Sequence, residues 1–205
     1  MKILIVDDHA VLREGVRRLL STIPNVQFFE AGSAHEALAQ FRKHQPTVTI
    51  LDVNLDASSG LELLQRLKSE SRLARIVMFT MHSEQTYALR AIRAGAMGYV
   101  CKSAPLDELL TAVKRVAEGE KYLDRNLASD LAFSSGSTDD PFSNLSNREV
   151  EILRLLGEGK SLSQIANTFG IAYKTVANSC SRLKTKLGLE RTTDLIRVSL
   201  ESRNR

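Results

Sequence analysis

Cysteine occurs only twice in this chain, at Cys101 and Cys180, and tryptophan not at all. Two cysteines build neither a disulfide framework nor a four-cysteine zinc site, which sets aside small secreted scaffolds and zinc modules. No apolar run approaches the roughly 18 residues that a membrane helix needs. The N-terminus offers one lysine and then acids, without the cleavable small-residue site of a secretory signal. No internal repeat is present. The expected location is the cytoplasm.

What is present is the balance of an ordinary globular protein, 43% hydrophobic and 25% charged over 205 residues. That length suits one large domain or two modest ones. The formal net charge of +4 is unevenly spread. Residues 1–120 hold 15 Lys+Arg against 14 Asp+Glu, residues 121–143 hold 2 against 4, and residues 144–205 hold 11 against 6. The positive excess at the C-terminal end suggests a polyanion as its partner.

The first 120 residues alternate short apolar, β-branched runs with helical patterns. The runs are Ile3–Val6, Val26–Glu30, Val48–Leu51, Ile76–Thr80 and Gly98–Cys101. Between them, Leu12, Val16, Leu19 and Leu20 share one helical face, as do Leu61, Leu64 and Leu67. A last helix carries Leu106, Leu109, Leu110, Val113 and Val116, with Pro105 at its start and Asp107 and Glu108 in its first turn. Five strands, each followed by a helix, predict a doubly wound five-stranded parallel sheet. Right-handed crossovers place every strand's C-terminus on one edge, where open α/β sheets bind ligands.

That edge collects chemistry. The run "LIVDDH" (residues 4–9) drives four apolar residues into adjacent aspartates. The two acids either face water or hold a hard cation such as Mg2+, which takes oxygen ligands. The fold then brings a third carboxylate, Asp52, together with Thr80 and Lys102, to the same edge from separate strands, and this favours the cation site. Asp7 and Asp8 are the candidate metal ligands, and Asp52, alone at its strand end, is the candidate nucleophile for phosphorus. Lys102 would neutralise charge on the equatorial oxygens and Thr80 would bond a phosphoryl oxygen. His9 opens the following helix and reads as a structural neighbour rather than a ligand. Cys101 and Cys180 read as packing, because buried thiols behave as small hydrophobes.

Residues 121–143 change character, and "SSGSTDDP" (134–141) has a linker's composition. Tyr122, Leu123, Leu127, Leu131 and Phe133 could form a short helix before it. From Leu145 the pattern is wholly helical. Ser146–Glu149 and Ser161–Gln164 are capping boxes opening two helices, a third runs from about Lys174 to Leu187 with Gly188 as its cap, and a fourth begins near Thr192. Short helices separated by a glycine-containing turn form a helix-turn-helix. On the third helix Val176, Cys180, Leu183 and Leu187 face the core. Lys174, Thr175, Asn178, Arg182 and Thr185 lie roughly opposite and should enter the major groove. The Asn178 amide suits adenine, while Lys174, Arg182, Lys184 and Lys186 suit phosphates.

The segments "VDDH", "LDVNLDASSG", "FTMH" and "GYVCKSAPLDEL", in that order and spacing, resemble the receiver domain of two-component response regulators. The stretch from Leu145 to Leu189 is similar to the LuxR-type helix-turn-helix. Together they cover nearly the whole chain and match the NarL/FixJ family pattern of a receiver (1–120), a linker (121–143) and a DNA-binding domain (144–205). The resemblance implies phosphorylation of Asp52 by a sensor histidine kinase or small phosphodonor. It also implies Mg2+ held by Asp8, Asp52 and the main-chain carbonyl of Asn54 with Asp7 nearby, and Thr80 and Tyr99 as a switch pair with Lys102 as counter-ion. Dimerisation on activation is implied too, with Val11–Thr22 and Leu106–Glu118 as candidate surfaces.

Several positions depart from the family. Asp56 stands where proline is common, and Ala172 replaces a serine that often caps the recognition helix. Ser179, grouped with the DNA-contacting residues, occupies a position where histidine is common. Ala177 and Ser181 replace lysines that read bases in some relatives, so their sequence preference does not transfer. A phosphohydrolase turning over on Asp52 is disfavoured by short loops and the lack of a substrate cap. A degenerate receiver serving only dimerisation is disfavoured by the complete set of Asp7, Asp8, Asp52, Thr80 and Lys102.

Overall fold

A computed structural model describes residues 1–55, 58–81, 85–123 and 145–203. The chain divides into two compact units, Met1–Ser135 and Gly136–Arg205.

The first unit runs β1 (Lys2–Val6), α1 (Ala10–Leu20), β2 (Gln27–Ala31), α2 (Ala34–His44) and β3 (Val48–Leu51). A two-strand ladder, β4 (Asn54–Leu55) and β5 (Ser58–Ser59), leads into α3 (Gly60–Glu70). Then come β6 (Ile76–Thr80), α4 (Gln85–Arg93), β7 (Gly98–Cys101), α5 (Leu106–Glu118) and β8 (Tyr122–Leu123). The main sheet is wholly parallel in the order β2-β1-β3-β6-β7-β8. β3, β6 and β7 are buried along their whole length, as strands covered by helices on both faces must be.

Alternation along the strands divides the core into two layers. Ile3, Ile5, Ile50, Val77, Phe79 and Val100 face Val16 and Leu20 of α1 and Leu109, Val113 and Val116 of α5. The stripe on α1 is graded, with Leu12 and Leu19 only partly buried at its margin. The fully buried Leu61, Leu64 and Leu67, joined by Leu63, anchor α3. Burying one such leucine contributes about 1.5–3 kcal/mol.

The sheet has one strand more than the five expected. Tyr122 and Leu123 pair with Gly98 and Tyr99 and are no part of a helix, so the first unit extends past residue 120. The Tyr122 N–H donates to the Met97 carbonyl at 2.8 Å. A two-residue strand is too short to show an alternating pattern, which is why it escapes a reading of periodicity. Most of the expected linker (124–143), Leu127, Leu131 and Phe133 with it, lies outside the described residues, as does Asp56.

The second unit contains α6 (Asn147–Gly157), α7 (Leu162–Thr168), α8 (Tyr173–Leu187) and α9 (Thr192–Arg203). Both predicted capping boxes are formed in full, Ser146 with Glu149 and Ser161 with Gln164. Each satisfies two backbone donors that a bare helix start leaves orphaned. At Ala172, the residue before α8, no side chain caps the helix. Gly188 closes α8 at φ +66°, a left-handed conformation that glycine adopts without strain. Gly157 lets α9 approach closely: a Cβ there would stand 2.2 Å from Ser199 Oγ.

Candidate functional site

β1 and β3 lie side by side where the chain turns from building one half of the sheet to building the other. In open α/β sheets this switch point, beyond the strand C-termini, forms a crevice. Backbone bonds continue just past the strand ends and hold the next residues in register. Asp7 N–H donates to the Ala31 carbonyl, Asp52 N–H to Val6 and Lys102 N–H to Thr80, at 3.2, 3.0 and 2.7 Å.

Lys102 Nζ stands 2.7 Å from Asp7 Oδ2 and 2.6 Å from Asp52 Oδ2, so one ammonium bridges two carboxylates from different strands. The three side chains are 7%, 3% and 6% exposed. Burial pushes the Asp52 carboxyl above its ordinary range, and the Lys102 hydrogen bond only partly offsets it. Burial also works against the Lys102 ammonium, but the hydrogen bonds to Asp52 and Asp7 outweigh it and raise its pKa. Lys102 is therefore held charged beside Asp52. Asp52 Oδ1 is buried and has no hydrogen-bond partner among the described residues. An orphaned carboxylate oxygen in so dry a place costs free energy unless a cation or an electrophile takes it.

Asp8 and His9 complete the rim. His9 Nδ1 lies 2.7 Å from Asp8 Oδ1 and 3.3 Å from Asp7 Oδ1, and the His9 N–H donates to Asp7 Oδ1 at 2.8 Å. The hydrogen bond with Asp8, then the charges of Asp8 and Asp7, raise the His9 pKa. Thr80 ends β6 fully buried, with a hydroxyl that helps hold Asp52 ionised. Asn54 opens the small ladder two residues after Asp52. Tyr99 is fully buried as the second residue of β7, paired with Met78 and Leu123 rather than at the strand's end.

Two contributors are not legible in the sequence. Arg13 of α1 donates from Nη1 to the Asp7 carbonyl at 2.7 Å and from Nε to Glu30 at 3.0 Å, bracing the loop that carries the acids. Gly60 opens α3 against the Asp52 peptide: a Cβ there would stand 1.9 Å from the Asp52 carbonyl oxygen. Both depend on contacts that only the folded backbone makes. The signal nearest to a clue is a glycine directly after two serines at a helix start.

In the second unit, α8 buries Val176, Cys180 and Leu183 against the other helices. Lys174, Thr175, Asn178 and Arg182 are exposed on the other side, and so is Tyr173. Three of the expected contacts have partners within the unit. Ser179 is buried, its hydroxyl donating to the Thr175 carbonyl at 3.0 Å, because it lies beside Cys180 on the inner face. Lys186 Nζ pairs with Glu149 at 2.7 Å, tying the end of α8 to the first turn of α6. Lys184 Nζ donates to the Glu190 carbonyl at 3.3 Å.

Residues 3–114 match the response regulator receiver domain, and residues 143–199 match the bacterial regulatory proteins of the luxR family. The DNA-binding transcriptional activator DevR/DosR of Mycobacterium tuberculosis is 40% identical over 197 residues, 94% of this chain and 91% of that protein. The oxygen regulatory protein NreC of Staphylococcus haemolyticus is 33% identical over 213 residues, 99% and 98% of the two chains. A two-component response regulator of the LuxR family from Aurantimonas sp. SI85-9A1 superposes with a TM-score of 0.64 at 34% identity, over 66% of this chain and 98% of that one. RcsB from Salmonella enterica serovar Typhimurium, bound to promoter rprA in the presence of phosphomimetic BeF3-, gives 0.68 at 25% identity, over 96% and 97%.

The fold and the strand-end cluster thus define a receiver joined to a helix-turn-helix. The chain belongs to the NarL/FixJ family of response regulators, and it is a DNA-binding transcriptional regulator of a two-component system rather than an enzyme. No helix among the described residues is long and apolar enough to cross a membrane.

Proposed function

We propose that Asp52 is the phosphoacceptor through which a sensor histidine kinase or small phosphodonor controls DNA binding by this protein. The observation that carries this reading is the buried Asp52 Oδ1, unpartnered among the described residues while its sister oxygen is held by Lys102. Oδ1 attacks phosphorus in line, the bond from phosphorus to the donor's leaving group breaks, and the leaving group departs with the electron pair. Lys102, held charged, meets the negative charge on the phosphoryl oxygens, and Thr80 at the next strand end supplies a hydroxyl to them.

The residues fit a divalent cation. Asp7 and Asp8 bring carboxylate oxygens close together, Lys102 joins Asp7 to Asp52, and the main-chain carbonyl of Asn54 is two residues from Asp52. Asp7, Asp8, Asp52 and Asn54 would hold Mg2+, which when bound would supply charge neutralisation that lysine alone cannot. Arg13 and Gly60 fix where the carboxylates stand.

Phosphorylation adds charge beside Thr80 and draws its hydroxyl. Tyr99, packed inside β7, is the second member of the switch. The shift favours a homodimer through α1 or α5, which brings two copies of α8 to half-sites about one helical turn or more apart. On that helix Asn178 reads bases, while Lys174, Thr175 and Arg182 hold the backbone. The receiver ends after Leu123 rather than at residue 120, the linker follows, and the DNA-binding domain begins near residue 144. The protein works in the cytoplasm.

Incubation with a small phosphodonor and Mg2+, followed by intact mass measurement, tests the reading. One phosphoryl adduct on the wild type and none on Asp52→Asn is the expected result. An adduct of equal yield on Asp52→Asn would overturn it.

A further inference from the structure

We infer that Tyr173 is a DNA-backbone contact, donating its hydroxyl to a phosphate at the edge of the groove that α8 enters. The inference rests on the reading that α8 lies in the major groove, and it adds a contact that carries no charge. Tyr173 is the first residue of α8 and is 55% exposed, one of six exposed large hydrophobic side chains among the described residues. The other described aromatic of the helical unit, Phe169, is buried, with the Arg148 guanidinium 3.6 Å from its ring centre. The Tyr173 hydroxyl has no hydrogen-bond partner among the described residues.

Periodicity alone would bury this ring. At about 100° per residue, Tyr173 stands about 140° around α8 from Asn178, and about two turns before the buried Cys180. That face of α8 packs against α6 and α7. Tyr173 escapes burial because the helix begins with it. Helical Cα–Cβ bonds tilt toward the N-terminus, so a ring at the first position is directed past the end of α8. In a helix-turn-helix that end of the recognition helix is brought to the DNA, while the helix before it crosses the backbone. A side chain that leaves the end of α8 on the side of α7 therefore meets phosphates, while the base edges face the stripe through Asn178. The chemistry agrees, since tyrosine is among the uncharged side chains that bond DNA phosphates. The first turn of α8 holds no acid to repel one, and the exposed Lys174 follows directly. The alternatives are that the ring reads bases through thymine methyl groups, or that it meets only water.

Fluorescence anisotropy of the full chain, with phosphodonor and Mg2+ present, separates these possibilities on two duplexes. One is selected by the wild type from a random pool, and the other is of unselected sequence. Tyr173→Phe keeps the ring and removes only the hydroxyl. It should weaken binding to both duplexes alike, by about two- to tenfold for each hydroxyl lost. The salt slope should not change, because a neutral hydroxyl displaces no counter-ion, whereas Lys174→Ala should reduce it by about one. Single phosphates of the selected duplex are then replaced by neutral methylphosphonates. At one position in each half-site the difference between wild type and Tyr173→Phe should vanish, which locates the bonded phosphate. Circular dichroism should show both variants folded, as exposed positions lead one to expect. Tyr173→Phe that binds both duplexes like the wild type overturns the inference, and the reading of α8 stands if Lys174→Ala still reduces the slope. If Lys174→Ala and Asn178→Ala are also without effect, both readings fall. A changed ratio between the two duplexes in Tyr173→Phe overturns the backbone contact in favour of base reading.

Discussion

Gly60→Ala probes how tightly the phosphoacceptor is held in place. Gly60 is the first residue of α3, and its N–H donates to the Val53 carbonyl at 2.6 Å. A Cβ there would meet Asp52 O at 1.9 Å, Asp52 C at 2.8 Å and Val53 Cα at 2.9 Å, all of them backbone atoms. No side chain can swing aside to relieve the clash. The Asp52 peptide must retreat by about 1.1 Å to lift the closest contact from 1.9 Å to the 3.0 Å that real Cβ atoms keep. Overpacking of this kind costs about 1–3 kcal/mol, against at most about 1 kcal/mol gained from alanine's helix preference. A displacement near 1 Å at a reacting group costs on the order of a hundredfold in rate. The variant should therefore unfold at lower urea and acquire the phosphoryl adduct about a hundredfold more slowly, read by intact mass over time. Gly15→Ala is the control: its Cβ meets nothing within 4 Å, and the same helix preference stabilises it. Phosphorylation of Gly60→Ala at the wild-type rate, with an unchanged urea midpoint, would refute the claim that this contact positions Asp52.

Asn178→Ala should lose about 1–3 kcal/mol on the preferred DNA site and little on random DNA, whereas Lys174→Ala should weaken both alike and reduce the salt slope by about one; binding titrations at several salt concentrations distinguish them. Lys186→Ala should leave the salt slope unchanged and lower the stability of the helical unit, because Glu149 loses its cation. Although burial opposes it, the Lys186 and Ser146 hydrogen bonds hold the Glu149 carboxyl below its ordinary value of 4.5. A lowered folded-state pKa contributes stability that is present above the unfolded value and lost as pH falls through the folded one. Hydrogen-exchange protection of α6 and α8, corrected for intrinsic rates, should therefore decline as pH falls below 4.5, and less so in Glu149→Gln. Ala172→Ser should supply the missing cap of α8 and stabilise the helical unit by about 0.5–2 kcal/mol, seen in the urea midpoint.

Much of this molecule was legible in its sequence, for local reasons. Short β-branched runs separated by helical stripes leave few foldings other than a parallel sheet with helices on both faces, and that topology brings Asp7, Asp52, Thr80 and Lys102 to one edge. Ser146 and Ser161 sit three residues before Glu149 and Gln164, so both capping boxes are readable from spacing alone. Tertiary structure decided the rest, because those features depend on how the backbone folds each residue against its neighbours in space. Arg13 reaches Glu30 across 17 positions and Lys186 reaches Glu149 across 37, so a cation that looks free in the sequence has a partner in the folded unit. Ser179 lies close enough to the boundary between the two faces of α8 that helical geometry alone does not place it, and packing beside Cys180 turns it inward. His9 has no partner on its face of the sequence pattern, and only the turn after β1 folds its imidazole back onto the acids before it. Gly60 matters only because another stretch of backbone comes within contact distance of it. Periodicity determines which face of an element is buried; the atoms that meet across that face are determined by the packing of the whole chain.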